Sequence, residues 1–460
     1  MAAQTEKIPP LELSDPGWAW ARYEPDAHRP WTLAMAGHLY RRAAFGANWN
    51  QLQQAISDGP QRTVDRLLQP NVDVETFNRT YNGQEGAGGS VAGLRAWWLR
   101  RMIETPHPLL EKMTLFWHSH FAADVTAVTS PQLAQAHISL LRNHALGSFD
   151  SLLREIAHDP ALLIGLGADA NRKASPNESF VTPLMETFTL SPGHSTDEDI
   201  REAARAFTGW FVLRGQLRYL PQEHDETIKH ILGREGHFTG DDVVRIVLEQ
   251  PATSRTLVRK LYRQFISETD EPGEALIAPL EESFAKDYSI SKLVDTILRS
   301  NHFFSQRSYR QRIKSPVEFA IGLVRAMEGM VSTTQLVQDI ADLGQDLCHP
   351  PTVKGWKGGR YWINAATLAG RANLAGAMLR GEEPYSDRLD PQAIAHKYGH
   401  TTSESAARFL VELLVQGDLE PATRDALFQD LPTAAGDGEQ KAAMRRLAHA
   451  IATLPEYHLA

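Results

Sequence analysis

The chain has 460 residues, 42% of them hydrophobic, a single cysteine and a formal net charge of -9. A chain of that size can bury a large core and divide it between two packed lobes, and its mixture of both charge signs argues against nucleic acid or an anionic membrane as the partner. The lone Cys348 excludes an internal disulfide and a cysteine-rich metal site, so folding does not call for an oxidising compartment.

The start, MAAQTEKIPPLELSDPGWAW, has neither a basic opening nor an apolar run of signal-peptide length. No segment reaches the roughly 18 apolar residues of a membrane span. The expectation is a cytoplasmic protein without a membrane partner. Residues 1–30, rich in Pro, Asp and Trp, read as an extended arm that packs through its tryptophans. From Trp31 onward apolar residues recur at helical spacing, and alternating runs of strand length are few. This predicts a mainly α, multi-helix globular fold over 31–380 with long Pro/Gly-rich loops and a helical C-terminal extension over 381–460. NGQEGAGGS, residues 82–90, has four glycines in nine residues and marks a flexible connection between two lobes, or a mobile flap.

In the next helix Leu109, Met113, Phe116, Trp117 and His120 form one stripe, which places His120 on the buried face. At about 100° per residue His118 lies about 200° away, so one metal held by both histidines requires the helix to end or unwind between them. Otherwise His120 is a hydrogen-bonded core histidine and His118 faces a surface or cleft.

The stretch 171–210 is dense in polar groups. Thr182 is expected to cap a helix running from Pro183 to Leu190, with Glu186 one turn in and Glu178 in the preceding loop. Ser195 with Glu198 fits a capping box for the following helix, whose Ile200, Ala203, Ala204 and Phe207 face inward. Arg201 and Arg205, four apart, share another face, either as a clamp for a carboxylate or phosphate or as partners of neighbouring acidic residues. Between Gly209 and Thr239 the helical period fails, and Phe211, Val212, Leu217 and Tyr219 predict a short β-hairpin around Arg214-Gly215. The loop after it carries His224-Asp225, in which an aspartate can orient a histidine. Lys314 precedes Ser315-Pro316. LCHPPTVKGWKGGRYW, 347–362, is an irregular loop whose Trp356 offers a platform for a sugar ring, and a helix follows over Ala365 to Leu379.

No phosphate-binding G-x-x-x-x-G-K-[ST] loop, G-x-G-x-x-G fingerprint or G-x-S-x-G elbow occurs. Eight blocks in order, among them PWTLAMAGHLYRRAAFG (30–46), LFWHSHFA (115–122), PNESF (176–180), EAARAFTGW (202–210), HDETIKHILGREG (224–236) and PPTVKGWKGGRYWI (350–363), resemble the bacterial family called domain of unknown function 1800, over roughly residues 25–380. The resemblance implies that His118, His120, Asn177, Glu178, Glu186 and His224 line one site. Two departures stand out. Relatives usually continue Asn-Glu-x-Phe with Ala-Arg-Glu, where this chain has Val181-Thr182-Pro183, and many relatives look exported.

The functional expectation is an enzyme of hydrolase type, acting on a polar, carbohydrate-like small molecule. His118, Glu178, Glu186, His224 and Asp225 would supply acid/base chemistry, because titratable groups inside apolar blocks are costly unless paired or used. Asn177, Arg201, Arg205, Lys314 and Trp356 would hold the substrate. A divalent metal on His118, His120 and Glu178 is one version of the site. The alternatives are a non-catalytic binding or assembly protein using the 82–90 and 347–362 segments as a recognition surface, and a redox enzyme holding iron or haem through a histidine.

Overall fold

The structure is a computed structural model that describes residues 15–82, 89–124, 128, 130–381, 383–386, 388–429, 431–432 and 436–460. All but the ends of the glycine-rich 82–90 stretch, and the first 14 residues of the expected arm, lie outside these. Among the described residues the fold is mainly α, with two two-stranded antiparallel hairpins and long connecting loops. No described helix is long and apolar enough to cross a membrane.

Local chemistry sets the helix starts. Asn48 and Gln51 exchange capping bonds at the head of Trp49–Leu68, Ser315 and Glu318 do so for Pro316–Ala326, and Asn364 and Thr367 for Ala365–Arg380. Each satisfies two of the backbone N–H groups that a helix end leaves without partners. The box expected at Ser195 and Glu198 forms one residue later: Thr196 Oγ1 accepts from Asp199 N–H at 3.1 Å, and the Asp199 carboxylate accepts from Thr196 N–H at 2.9 Å.

Residues 15–30 are not a plain extended arm. Asp15 caps a single turn, Pro16–Ala19, after which the Trp20 indole donates to the Leu276 carbonyl at 2.7 Å and Tyr23 N–H to the Arg299 carbonyl at 2.7 Å.

The Arg214-Gly215 hairpin forms as expected. Trp210–Leu213 pairs with Gln216–Tyr219, and both turn residues have positive φ, 54° and 75°, as a type I′ turn requires. A second hairpin, Lys229–Ile231 with Arg234–Gly236, turns at Leu232 and Gly233. It packs on the Asp197–Ala206 helix, where Asp199 accepts from Leu232 N–H at 2.7 Å and Glu202 from His230 N–H at 3.0 Å.

The expected Pro183–Leu190 helix takes another form. One α turn, Val181–Pro183, runs into a π-helical segment, Leu184–Thr189. Its wider ring is closed by Leu190 N–H to the Met185 carbonyl at 2.8 Å, and the Thr189 hydroxyl caps the Leu184 carbonyl at 2.6 Å.

The C-terminal region completes the core. Ala365–Arg380 packs on Asp437–Thr453, and the last residues zip against 312–319: Lys314 N–H meets the His458 carbonyl at 2.9 Å and Ala460 N–H the Arg312 carbonyl at 2.7 Å.

Candidate functional site

The Pro108–His120 helix divides its polar residues between two places. Glu111, fully buried, holds the Arg101 guanidinium at 2.6 Å, that of Arg142 at 2.7 Å and the Trp98 indole at 3.1 Å. A buried carboxylate with three donors is satisfied, and its work is structural. The helix then sends its two histidines in different directions.

His118 is at 0% exposure, correcting the expectation that it faces a surface or cleft. Its Nε2 accepts from Cys348 N–H at 3.1 Å, and its ring packs edge-on to Trp98 and beside His137 and Trp356. Burial, with His137 and Arg95 adding, pushes its pKa down to about 3. It is therefore a neutral core group.

His120 is the one that reaches a cleft. The cleft has a volume of about 340 Å³ and lies between the end of this helix, Pro251–Phe265, the 312–318 segment and the 354–362 loop. Gly355 brings that loop onto the helix: with φ at 69°, an added Cβ would stand 2.1 Å from the Ser119 carbonyl oxygen. Only glycine fits this approach, and it carries Lys354, Trp356 and Lys357 to the cleft wall.

Positive charge dominates the lining. Lys112, Lys260, Arg263, Arg312, Lys354 and Lys357 face two carboxylates, Glu268 and Glu318. Glu318 accepts from Lys112, from Arg312 at 2.6 Å and from Ser315 N–H at 2.7 Å, and these neighbours outweigh the upward push of burial and hold its carboxyl well below the usual range. Glu268 takes Gly359 N–H at 3.2 Å and faces Arg312 at 3.4 Å. Just behind this floor Arg42 and Arg371, both at 0% exposure, each keep two guanidinium nitrogens without a protein partner. Charge in that position is expensive unless compensated.

At the side of the cleft Lys260 and His120 form a couple. His120 Nε2 lies 3.1 Å from the Phe188 carbonyl, which only accepts, so that nitrogen carries the hydrogen. Nδ1 is left as an acceptor and takes a hydrogen from Lys260 Nζ at 3.0 Å, while Nζ also donates to the Thr187 carbonyl at 2.7 Å. Both carbonyls come from the π segment. Burial, with Arg263 adding, pushes the Lys260 pKa down to about 7, and burial beside Lys260 holds His120 well below its usual value.

The other expected site residues are scattered. Glu178 is exposed, and Glu186 sits half-buried in the π segment outside the cleft lining. His224 is buried and donates to the Thr208 carbonyl at 2.8 Å, whereas Asp225 turns to Arg205 at 2.8 Å and to Thr227. Asp225 therefore does not orient His224. Arg205 is a structural hub that also binds Glu202, and Arg201 is exposed and pairs with Glu198 at 2.5 Å. Asn177 braces its own loop through the Gly167 carbonyl at 2.8 Å and Ser179 N–H at 2.8 Å. The Lys314 ammonium is buried 3.8 Å from the Tyr457 ring centre. Of the expected set, the cleft gathers His120 and Trp356.

Metal ligation by His118, His120 and Glu178 does not assemble, since the histidines have separate surroundings and Glu178 faces solvent. Among the described residues no three His, Cys, Asp or Glu side chains converge as a metal requires. Sequence reasoning missed Lys260, Arg263, Arg312 and Glu318. The only signal was Lys260, Arg263 and Gln264 at i, i+3 and i+4, which is also the pattern of an ordinary solvated helix face.

Comparison with curated proteins and with solved structures returns no match. A family model described as "Protein of unknown function (DUF1800)" matches residues 38–459, nearly the whole length and including the C-terminal region, and the chain belongs to that family.

Proposed function

We propose that the cleft takes a small anionic molecule and that the protein is an enzyme acting on it by acid/base chemistry, with Lys260 exchanging the proton and His120 positioning the amine. The reaction class expected from the sequence is kept, and the residues assigned to it change. The observation that carries this reading is the charge imbalance of the lining: with Arg263 paired to Glu271 and Lys260 favoured as the neutral amine, Lys112, Arg312, Lys354 and Lys357 still face only Glu268 and Glu318, with further buried guanidinium groups behind. An anion in the cleft offsets part of the cost of holding that charge out of water. Trp356 and Trp362 on the wall supply flat apolar faces, which suit the ring of a carboxylated or phosphorylated sugar.

An amine whose pKa lies close to neutrality is suited to both giving and taking a proton there. The test is thermal unfolding and calorimetric titration with inorganic phosphate and a sugar phosphate, at fixed ionic strength set with chloride. Stabilisation that saturates with concentration, and that falls in a Lys354→Met/Lys357→Met double variant, is expected. Equal stability in phosphate and in chloride removes the reading.

A further inference from the structure

We infer that Lys260 reacts covalently with its substrate, its amine condensing with the aldehyde or ketone group of an anionic molecule held in the cleft. This rests on the anion-binding reading above and names the substrate class within it.

The inference comes from comparing two lysines on the same lining. Lys112 is held from three directions, by the Glu318 carboxylate, the Ala44 carbonyl at 2.8 Å and the Arg41 carbonyl at 3.4 Å. Every hydrogen of its ammonium has a taker, and its charge has a counterion. Lys260 is held from two directions only, by the Thr187 carbonyl at 2.7 Å and His120 Nδ1 at 3.0 Å, and no described carboxylate pairs with it. A neutral amine has two hydrogens and one lone pair. At Lys260 the two acceptors take both hydrogens, so the lone pair is the part left over, on a nitrogen that lines the cleft. His120 cannot turn away, because its other nitrogen is tied to the Phe188 carbonyl at 3.1 Å. The result is an amine held with its nucleophilic corner free. Burial with Arg263 near at hand favours the uncharged form, as nucleophilic lysines require. The anionic part of the substrate has its own partners in Lys354 and Lys357 on the cleft wall.

The step balances without an oxidant or reductant. The Lys260 nitrogen forms a bond to the carbonyl carbon, and the carbon–oxygen π pair moves to oxygen, which takes one hydrogen from nitrogen. The resulting carbinolamine expels that oxygen as water, with the second hydrogen of the amine, and a carbon–nitrogen double bond remains. The neutral imine so formed has no N–H and leaves both acceptors; a proton taken up from solvent converts it to the iminium, whose single N–H serves one of them.

Pyridoxal 5′-phosphate, an anionic aldehyde, serves as the probe. The full chain is incubated with a small molar excess of it near neutral pH, reduced with sodium borohydride, and analysed by intact mass and peptide mapping. One adduct per chain, located on Lys260 and suppressed by excess inorganic phosphate, is the expected result. In Lys260→Arg the single adduct is lost while phosphate still stabilises the protein. Because the wild-type map itself identifies the residue, a variant that fails to fold does not blunt the test. Adducts spread over Lys354, Lys357 and other exposed lysines, with Lys260 unmodified, overturn the inference while leaving anion binding intact. Absence of any phosphate effect on stability or labelling instead removes the reading beneath it.

Discussion

His120 Nδ1 receives Lys260 Nζ at 3.0 Å, and the ring is turned to do so because Nε2–H is spent on the Phe188 carbonyl at 3.1 Å. An acceptor facing an ammonium favours the charged form, so its removal lowers the amine's pKa further. Acylation of Lys260 with acetic anhydride, followed by mass spectrometry at stepped pH, is expected to show a midpoint near 7 in the wild type. In His120→Leu the midpoint moves lower. Arg263, whose charge also lowers the Lys260 pKa, is retained in both proteins. An unchanged midpoint, or one near that of ordinary lysines, argues against the couple.

Lys260 also gives stability a pH dependence of definite sign. Its pKa is about 7 in the fold against about 10.5 in the unfolded chain, so between those values the unfolded state binds more protons and stability from this group rises with pH. Below pH 7 the full cost of holding the charge is present. Lys260→Met removes that cost, and urea unfolding is expected to show its advantage over wild type shrinking between pH 7 and 10.

His118 acts at the acid end. Its pKa is about 3 in the fold and near 6.5 when unfolded, so the unfolded chain gains a proton that the folded one refuses as pH falls through that window. Stability is lost on acidification, and His118→Phe is expected to show a slope smaller by about one proton between pH 6 and 4. At pH 7 the same variant loses about 1–3 kcal/mol, because Cys348 N–H is left buried without its acceptor. Urea melts at pH 7, 5.5 and 4.5 measure both.

Glu318 is the hinge of the charge balance. Glu318→Gln strips the buried Lys112 and Arg312 of their shared carboxylate and is expected to cost about 3–5 kcal/mol. Saturating phosphate should recover part of that loss, and more of it than phosphate adds to the wild type. Calorimetric melts with and without phosphate decide the matter.

Gly355 and Asp225 make a contrasting pair. Gly355→Ala sets a methyl 2.1 Å from the Ser119 carbonyl oxygen at φ 69°, so the 354–362 loop must move, and weaker phosphate binding with faster amide exchange over that loop is expected. Asp225→Asn weakens the bond to Arg205 and costs about 1 kcal/mol of stability. Phosphate binding should be untouched by it, since Asp225 lies outside the cleft.

The mainly helical class was legible because its signals are local: apolar periodicity, the φ demands of Arg214-Gly215 and the start of the helix at Ala365. The site was not. Its charges arrive from residues 112, 260, 312 and 354, segments joined only by packing, and each alone looks like a solvated basic face. Neighbours in sequence also misled. His224 and Asp225 stand side by side in an irregular loop, where adjacent side chains part, and each found a partner elsewhere. The two histidines of the helix were correctly placed apart by the helical turn. Which of them meets open space depended on the 347–362 loop closing over His118, a tertiary event that periodicity does not encode.

The π segment, Leu184–Thr189, constrains the chain through its length. Thr187 and Phe188 hold the Lys260–His120 couple through their main-chain oxygens, not their side chains, so almost any residue at those two positions supplies the same acceptors. What cannot be exchanged is the segment's length. Removing one residue from 184–189 restores ordinary α spacing and swings the downstream oxygens by about 100°. Truncating Phe188, whose ring is fully buried against His120 and Phe121, costs core packing but leaves its main-chain oxygen as an acceptor, whereas a deletion moves both oxygens away from the couple.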